Sequence, residues 1–366
     1  MFVRPNKKPS EQPSRQGLGD LGFFFDLTTG ILTEISTGAP YQYERFPGDR
    51  KRNADYFQML VPPASRQIPH ILTHSHLQMQ PLAIPDPRQP HCNIYMTPGA
   101  LEKENLVVLV TGHNTFCGVW AWNVLLKQGF RPGSVYEYVD RCVDRGYGVL
   151  VLNPNENICA PDGITETFNS YQGHATAVQG SETPGEHVGY VWSKYIRESK
   201  AQKVAFVAYS TSGIAVLDLL KYDYQRFTGL TACIAFIDSL HSTFQLAPGA
   251  CSWLAEACAQ WATSEKPVGT VVQDDRAGCL TFSGGNQTDT KEMTPWTCME
   301  AVLEFIETRF SRGLVTEFEE FADTESLSDS ENAADGLEAV ENVQVFGAGT
   351  EASATTQSGE YSGWEM

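Results

Sequence analysis

Residues 203–220, K-V-A-F-V-A-Y-S-T-S-G-I-A-V-L-D-L-L, constrain the fold more than any other part of the chain. Residues 204–208 are a short apolar run with β-branched and aromatic members, the composition of a parallel strand buried on both faces. Residues 213–220 read as a helix with Ile214, Leu217 and Leu220 on one side. Between the two lies Ala208-Tyr209-Ser210-Thr211-Ser212-Gly213. A strand that turns sharply into a helix over a serine has the geometry of a nucleophile elbow, usually written G-x-S-x-G. Ala208 and Ser212 stand at the two glycine positions, and both are small enough to leave the tight turn open. Such a context speaks for a fold more strongly than for an activity.

The rest of the chain repeats the strand-then-helix alternation. A hairpin is predicted within residues 21–43, turning at Thr29-Gly30. Strands are predicted at 93–97, 106–111, 149–152, 231–237 and 279–283, and helices at 119–127, 135–145, 186–199, 249–261 and 297–310. Residues 46–52 read as a charged turn and 158–183 as a loop insertion. Residues 62–90, rich in proline and histidine, read as an irregular connector. His74 and His76 would share a face of an extended chain, but no ligand spacing accompanies them and no metal is expected. Alternating strands and helices imply βαβ units and a mainly parallel sheet with helices on both faces. Ligands of such sheets bind beyond the carboxyl ends of the strands.

A chain of 366 residues, 42% hydrophobic, is long enough for one large α/β domain with extensions. Three segments are expected: a disordered, mildly basic lead at 1–18, a folded domain at 19–312 and a disordered acidic tail at 313–366. The net charge of −18 belongs mostly to that tail, which carries 13 acidic residues and no lysine or arginine. Ser326 and Ser328 each precede an acidic residue by three positions, so either is a candidate for an acid-directed kinase. The remainder is close to neutral, with no basic footprint for direct nucleic-acid binding. The first 16 residues lack the apolar centre of a signal peptide, and no run of 18 apolar residues suggests a membrane span. Nine dispersed cysteines, none in a C-x-x-C pair, suit a reducing compartment, the nucleus or the cytoplasm.

A Ser-acid-His triad in this chain order needs an acid and a base after Ser210. Asp238, at the end of the 231–237 strand, suits the acid. The amide of Thr211, with one from Gly112 or His113, would form an oxyanion hole, and Thr111 and Tyr209 would line the same pocket. The base is missing from its usual place, because residues 283–296 contain no histidine. His241, three residues past Asp238, and Lys291 are the doubtful substitutes; a lysine serves only if strongly desolvated. Each residue also has a structural reading: Ser210 as a helix cap, Asp238 as a strand-end acceptor of backbone amides, and His187 as a packing or capping residue.

Taken together, G-F-F-F-D-L-T-T-G-I-L-T-E-I-S-T-G-A-P near the start, G-Y-G-V-L-V-L-N-P-N-E-N at 146–157, Glu186-His187, the Ser210 elbow, Asp238-Ser239-Leu240-His241 and Thr263-Ser264-Glu265-Lys266-Pro267 resemble a known family. It is the argonaute-binding protein two (Arb two) domain, in the version found in animal cotranscriptional regulators. The resemblance runs from about residue 21 to 310. It implies an α/β-hydrolase-like domain, preceded here by the hairpin. Related domains accompany class II histone deacetylases in fungi, and others act in small-RNA silencing and splicing regulation. No deacetylase domain is visible in this sequence, so such a link would run through a partner. The chain departs from the family at Thr111-Gly112, where the family has His-Gly. It departs again at Tyr209-Ser210-Thr211-Ser212-Gly213, where the family has His-Ser-Tyr-Gly-Gly. Lys291 follows Thr288-Asp289-Thr290, where the family has a histidine after Thr-Asp-Arg.

The expectation is therefore a non-catalytic scaffold or adaptor of a nuclear chromatin or small-RNA silencing complex, with protein partners, no cofactor and no membrane. The alternatives are a serine hydrolase using Ser210, or a ligand-binding relic of one.

Overall fold

Apolar runs that are separate in the sequence become neighbours in one sheet. The computed structural model describes residues 16–167, 173–285 and 291–315, with the side chain of Lys291 left out. Most of the lead, the tail from 316 with Ser326 and Ser328, and residues 286–290 lie outside the described residues.

The chain opens with the antiparallel hairpin of β1 (Phe23–Phe25) and β2 (Leu32–Glu34). Helices α1 (Arg50–Ser65) and α2 (Gln67–His74) follow, then β3 (Gln80–Ile84), β4 (Cys92–Met96) and β5 (Asn105–Val110). Next come α3 (Trp122–Gln128), α4 (Phe130–Gly133), α5 (Tyr136–Asp144) and β6 (Gly148–Val151). A small three-stranded sheet of β7 (Ile158–Cys159), β8 (Thr165–Glu166) and β9 (Thr176–Ala177) precedes α6 (Pro184–Val191) and a π turn, Trp192–Ile196. Then run β10 (Lys203–Tyr209), α7 (Ser212–Tyr222), α8 (Tyr224–Thr228), β11 (Thr231–Ile237), α9 (Pro248–Ala257), β12 (Ala259–Ala262), β13 (Val271–Val272) and β14 (Leu280–Ser283). Helices α10 (Thr294–Thr297) and α11 (Met299–Arg312) end the described fold.

The central sheet has nine strands in the order β13-β14-β12-β11-β10-β5-β6-β4-β3. From β6 through β14 the neighbours are parallel; β3, β4 and β13 pair antiparallel. If β3, β4, β5, β6, β10, β11, β12 and β14 are strands one to eight, their spatial order is 1-2-4-3-5-6-7-8 with the second antiparallel. This is the sheet of an α/β hydrolase.

Side chains on each strand alternate between two cores, as the period of two requires. On β10, Ala205, Val207 and Tyr209 face a core closed by Leu60 of α1, Leu125 of α3, Val139 of α5 and Val302 and Ile306 of α11. Val204, Phe206 and Ala208 face the other core, closed by Val188 of α6, Val216 of α7 and Trp253 of α9. Both sheet faces are thus covered, as the unbroken apolar strands demand.

Several sequence expectations are corrected here. Residues 50–74 are helical rather than a charged turn and a connector. Asp49 caps α1 by accepting the Arg52 N–H at 3.0 Å, and Phe57, Leu60 and Ala64 bury one face. Pro62 and Pro63 fall in its last turn, where each removes an N–H that would donate to a carbonyl four residues back, so this end of the helix is held by its buried face. The predicted helix 249–261 stops at Ala257, and Trp261 lies in β12, a full member of the sheet. The supposed loop insertion carries β7, β8 and β9.

Candidate functional site: a nucleophile elbow at the strand ends

The carboxyl ends of β5, β10 and β11 lie side by side, because Ala208 pairs with Val110 and Tyr209 with Ile237. Thr111, Ser210 and Asp238 are the next residues along those strands, so the register brings them to one edge. Ser210 has φ +58° and Asp238 φ +42°. Left-handed backbone is costly for residues with a side chain and concentrates at functional sites. The Ser210 N–H donates to the Ile237 carbonyl at 2.9 Å, and the Ser210 carbonyl accepts from Leu240 at 3.2 Å. These bonds hold the turn in its strained form.

The two replacements at the glycine positions are accommodated differently. Ala208 is fully buried in the core beside α7. Ser212 turns its hydroxyl inward, donating to the carbonyls of Val110 at 2.9 Å and Tyr209 at 2.8 Å, so it stitches β5 to β10 beneath the elbow. The close approach falls instead at Gly213, where a Cβ would stand 2.0 Å from Ser239 Oγ. On the other side, a Cβ on Gly112 would lie 3.1 Å from the Cβ of Ser210. The 111–113 loop therefore lies against the serine. His113 is exposed and Thr111 buried, its Oγ1 without a hydrogen-bond partner.

Residues 153–157, N-P-N-E-N, hold that loop in place. Asn155 Nδ2 donates to the carbonyls of Gly112 at 2.7 Å and Thr115 at 3.2 Å. Glu156 accepts from the Cys117 N–H at 3.0 Å and the Thr165 hydroxyl at 3.2 Å; burial raises its pKa above the usual carboxylate range. Asn157 Nδ2 ties Pro154 to Ser181 through their carbonyls. The motif was visible in the sequence; its work, clamping the loop beside Ser210, was not.

Asp238 is engaged by a threonine. Its Oδ1 accepts the Thr263 N–H at 2.7 Å and its Oδ2 the Thr263 hydroxyl at 2.9 Å, and Thr263 Oγ1 lies 2.7 Å from Thr294 Oγ1. The carboxylate thus anchors the segment that returns after β14, the segment where a base would sit. Glu292, next to Lys291, has a buried Oε2 without a partner. Burial, then the charges of Asp238 and Glu292, push the Tyr209 phenol well above its ordinary pKa.

His241 does not reach for the serine. Its Nε2 lies 2.8 Å from the Ala277 carbonyl, which can only accept, so this nitrogen carries the proton. Its Nδ1 lies 2.7 Å from Ser239 Oγ, and the ring stacks on Phe236 with centroids 3.9 Å apart. Both nitrogens are used, and burial lowers the pKa. The Lys291 side chain, the other doubtful base, lies outside the described residues.

His187 is a fully buried packing residue. Its Nε2 accepts the Asn153 N–H at 3.0 Å, its Nδ1 pairs with Ser181 Oγ at 2.8 Å, and burial pushes its pKa down to about 3. His74 and His76 do not come together, because His76 Nε2 turns to Asp140 at 2.6 Å while His74 sits on α2. Among the described residues, no group of three or more His, Cys, Asp or Glu is arranged to hold a metal ion. Sequence reasoning missed Thr263, Ser239 and Glu292. Thr263 lay inside a motif already noted, without a role.

The Arb2 domain family matches residues 14–268. The mouse protein named cotranscriptional regulator ARB2A is 26% identical over 75% of this chain and 76% of its own length. Its human counterpart is 24% identical over the same shares. Among solved structures, a histone deacetylase from Saccharomyces cerevisiae aligns with a TM-score of 0.45 and 16% identity, over 69% of this chain and 98% of its own. An esterase from Pyrococcus furiosus aligns with a TM-score of 0.38 and 8% identity, over 65% of this chain and 93% of its own.

Proposed function

We propose, from the premise that this chain belongs to the Arb2 domain family, that it is a non-catalytic regulatory subunit. In this reading its hydrolase-like domain serves as a protein-binding scaffold in a nuclear chromatin or small-RNA silencing complex. The regulatory part is supported by its relatives, which are named as cotranscriptional regulators. The non-catalytic part is supported by one observation above the others: His241, the one histidine that follows Ser210 in the sequence, turns its two ring nitrogens to Ala277 and Ser239. A serine hydroxyl is a poor nucleophile until a base within hydrogen-bond reach takes its proton. A complex containing a histone deacetylase is one partner class that this reading names, and the chain would act in the nucleus, the cytoplasm or both. No described helix is long and apolar enough to cross a membrane.

The test is affinity purification of the full chain from nuclear and cytoplasmic extracts, followed by mass spectrometry, beside a Ser210→Ala variant. The expected result is a stoichiometric set of chromatin or silencing proteins retained equally by both. Loss of that set in Ser210→Ala, or no stoichiometric partner in either extract, contradicts the scaffold reading.

The second reading, a serine hydrolase, is favoured by the left-handed Ser210 and the close approach of Gly112. Strain of this kind has a use in catalysis. It equally suits a pocket that binds a carbonyl or a carboxylate without turning it over.

A further inference from the structure

We infer that residues 317–323, E-F-E-E-F-A-D, dock on the amino edge of β10 and β11, where Arg309 takes the carboxylate of Glu317, Glu319 or Glu320. The contact lies at the end of the sheet opposite the elbow and does not depend on the function proposed above.

A cation without a counter-ion stands at that edge. Arg309, in the last turn of α11, is only 7% exposed. Its guanidinium carries five N–H donors and cannot lose its charge. Among the described residues it makes one hydrogen bond, from Nε to the Ala232 carbonyl at 3.4 Å, and has no carboxylate within ion-pair distance. Buried charges in proteins are paired. Cys233 and Cys258, whose thiols feel the Arg309 charge, do not supply the anion, because burial pushes both up, Cys233 to about 12. Glu307, two residues before Arg309, turns to Arg145 at 3.7 Å.

Two more cations flank Arg309. Lys203, the first residue of β10, donates from Nζ to the Phe310 carbonyl at 2.5 Å, and Arg312 is exposed at the end of α11. Neither has a carboxylate partner among the described residues.

The chain itself carries the anion to this place. Gly313, with φ +90°, follows α11; Leu314 then packs against the core on one face of the sheet and Val315 against the core on the other. The chain thus crosses the amino edge just before its acidic stretch begins. Glu317, Glu319 and Glu320 follow Val315 by two to five residues, about 7–18 Å of extended chain, so they reach back to Arg309 without strain. A carboxylate meets a guanidinium through two parallel hydrogen bonds, which satisfies the donors that Ala232 leaves. An ion pair with one side in water contributes little to stability, and water solvates the guanidinium when the segment leaves. The segment therefore covers this edge without holding the fold together.

The experiment treats the full chain, at high dilution, with a water-soluble carbodiimide that couples a carboxylate to the Lys203 amine. Mass spectrometry then maps the links. The expected link joins Lys203 to Glu317, Glu319 or Glu320 within one chain. Its yield should fall by about fivefold or more in Arg309→Gln and in about 0.5 M sodium chloride, and Arg309→Lys should keep part of it. Circular dichroism checks that the variants are folded; if Arg309→Gln is not, the parent chain and its salt dependence decide. No Lys203 link to residues 317–320 in the parent overturns the proposal. So do links found only between two chains. Links spread evenly over the acids of residues 325–365 also overturn it, since they mark a general attraction to the tail. An unchanged yield in folded Arg309→Gln overturns the role given to Arg309.

Discussion

Gly213 shows at the scale of one residue how tightly the elbow is built. A methyl group there would meet Ser239 Oγ at 2.0 Å and Phe236 Cδ1 at 3.1 Å. Gly213→Ala is expected to destabilise the domain by about 1–3 kcal/mol, as overpacking does. Adding Ser239→Ala should recover part of that loss, because it removes the nearer clash. Equilibrium denaturation of the two single variants and the double variant measures the coupling; strictly additive effects would mean that the serine is not the obstacle. His187 supplies a pH signature. Its folded pKa of about 3 lies below the unfolded value near 6.5, so between these values the unfolded chain binds the extra proton. Its contribution is complete above pH 6.5 and is lost as pH falls, by about 1.4 kcal/mol per unit once well below 6.5. Glu156, raised by burial, works in the opposite direction, so the informative quantity is a difference. Unfolding free energies at pH 7 and pH 5.5 should fall less steeply in His187→Gln than in the parent. Equal slopes would contradict the buried neutral imidazole.

At the scale of the element, what could be read from the sequence depended on whether one local signal dominated. The strands β5, β10 and β11 are apolar on both faces and bounded by turns, so they stood out as buried and parallel. The strand β12 did not. Trp253, Ala257 and Trp261 recur every four residues, so in the sequence the helical period of α9 runs on to Trp261. The chain breaks that period at Cys258 because β11 offers an open edge, and sheet pairing overrides the local pattern. Helix α1 was hidden because its start was read as part of a charged turn and its end, with Pro62 and Pro63, as the beginning of a proline-rich connector. The site divided in the same way. Ser210 and Asp238 were legible from strand-end position, whereas the pairing of Asp238 with Thr263 depends on how β11 and β12 align, which no local pattern encodes. Thr263→Val tests that pairing. It removes the hydroxyl link from Asp238 to Thr294 and should destabilise the domain by about 1–2 kcal/mol, while leaving the backbone bond to Asp238 in place. No change in stability would mean that the anchor contributes nothing.

At the scale of the whole molecule, the domain closes with α11, whose Val302 and Ile306 seal the core, and with Leu314 and Val315, which still pack against it. The folded part therefore reaches at least Val315, three residues beyond the Arg312 boundary expected from the sequence. Truncation after Val315 should leave the melting temperature within about 2 °C. A larger drop would show that the acidic tail contributes to the fold. The central proposal is that no described side chain serves Ser210 as a base. The most direct measurement is labelling of the full chain by a fluorophosphonate probe, beside Ser210→Ala and a serine esterase as positive control. The account predicts that the chain labels no more than Ser210→Ala. Robust labelling that disappears in Ser210→Ala would contradict it and make the domain an enzyme.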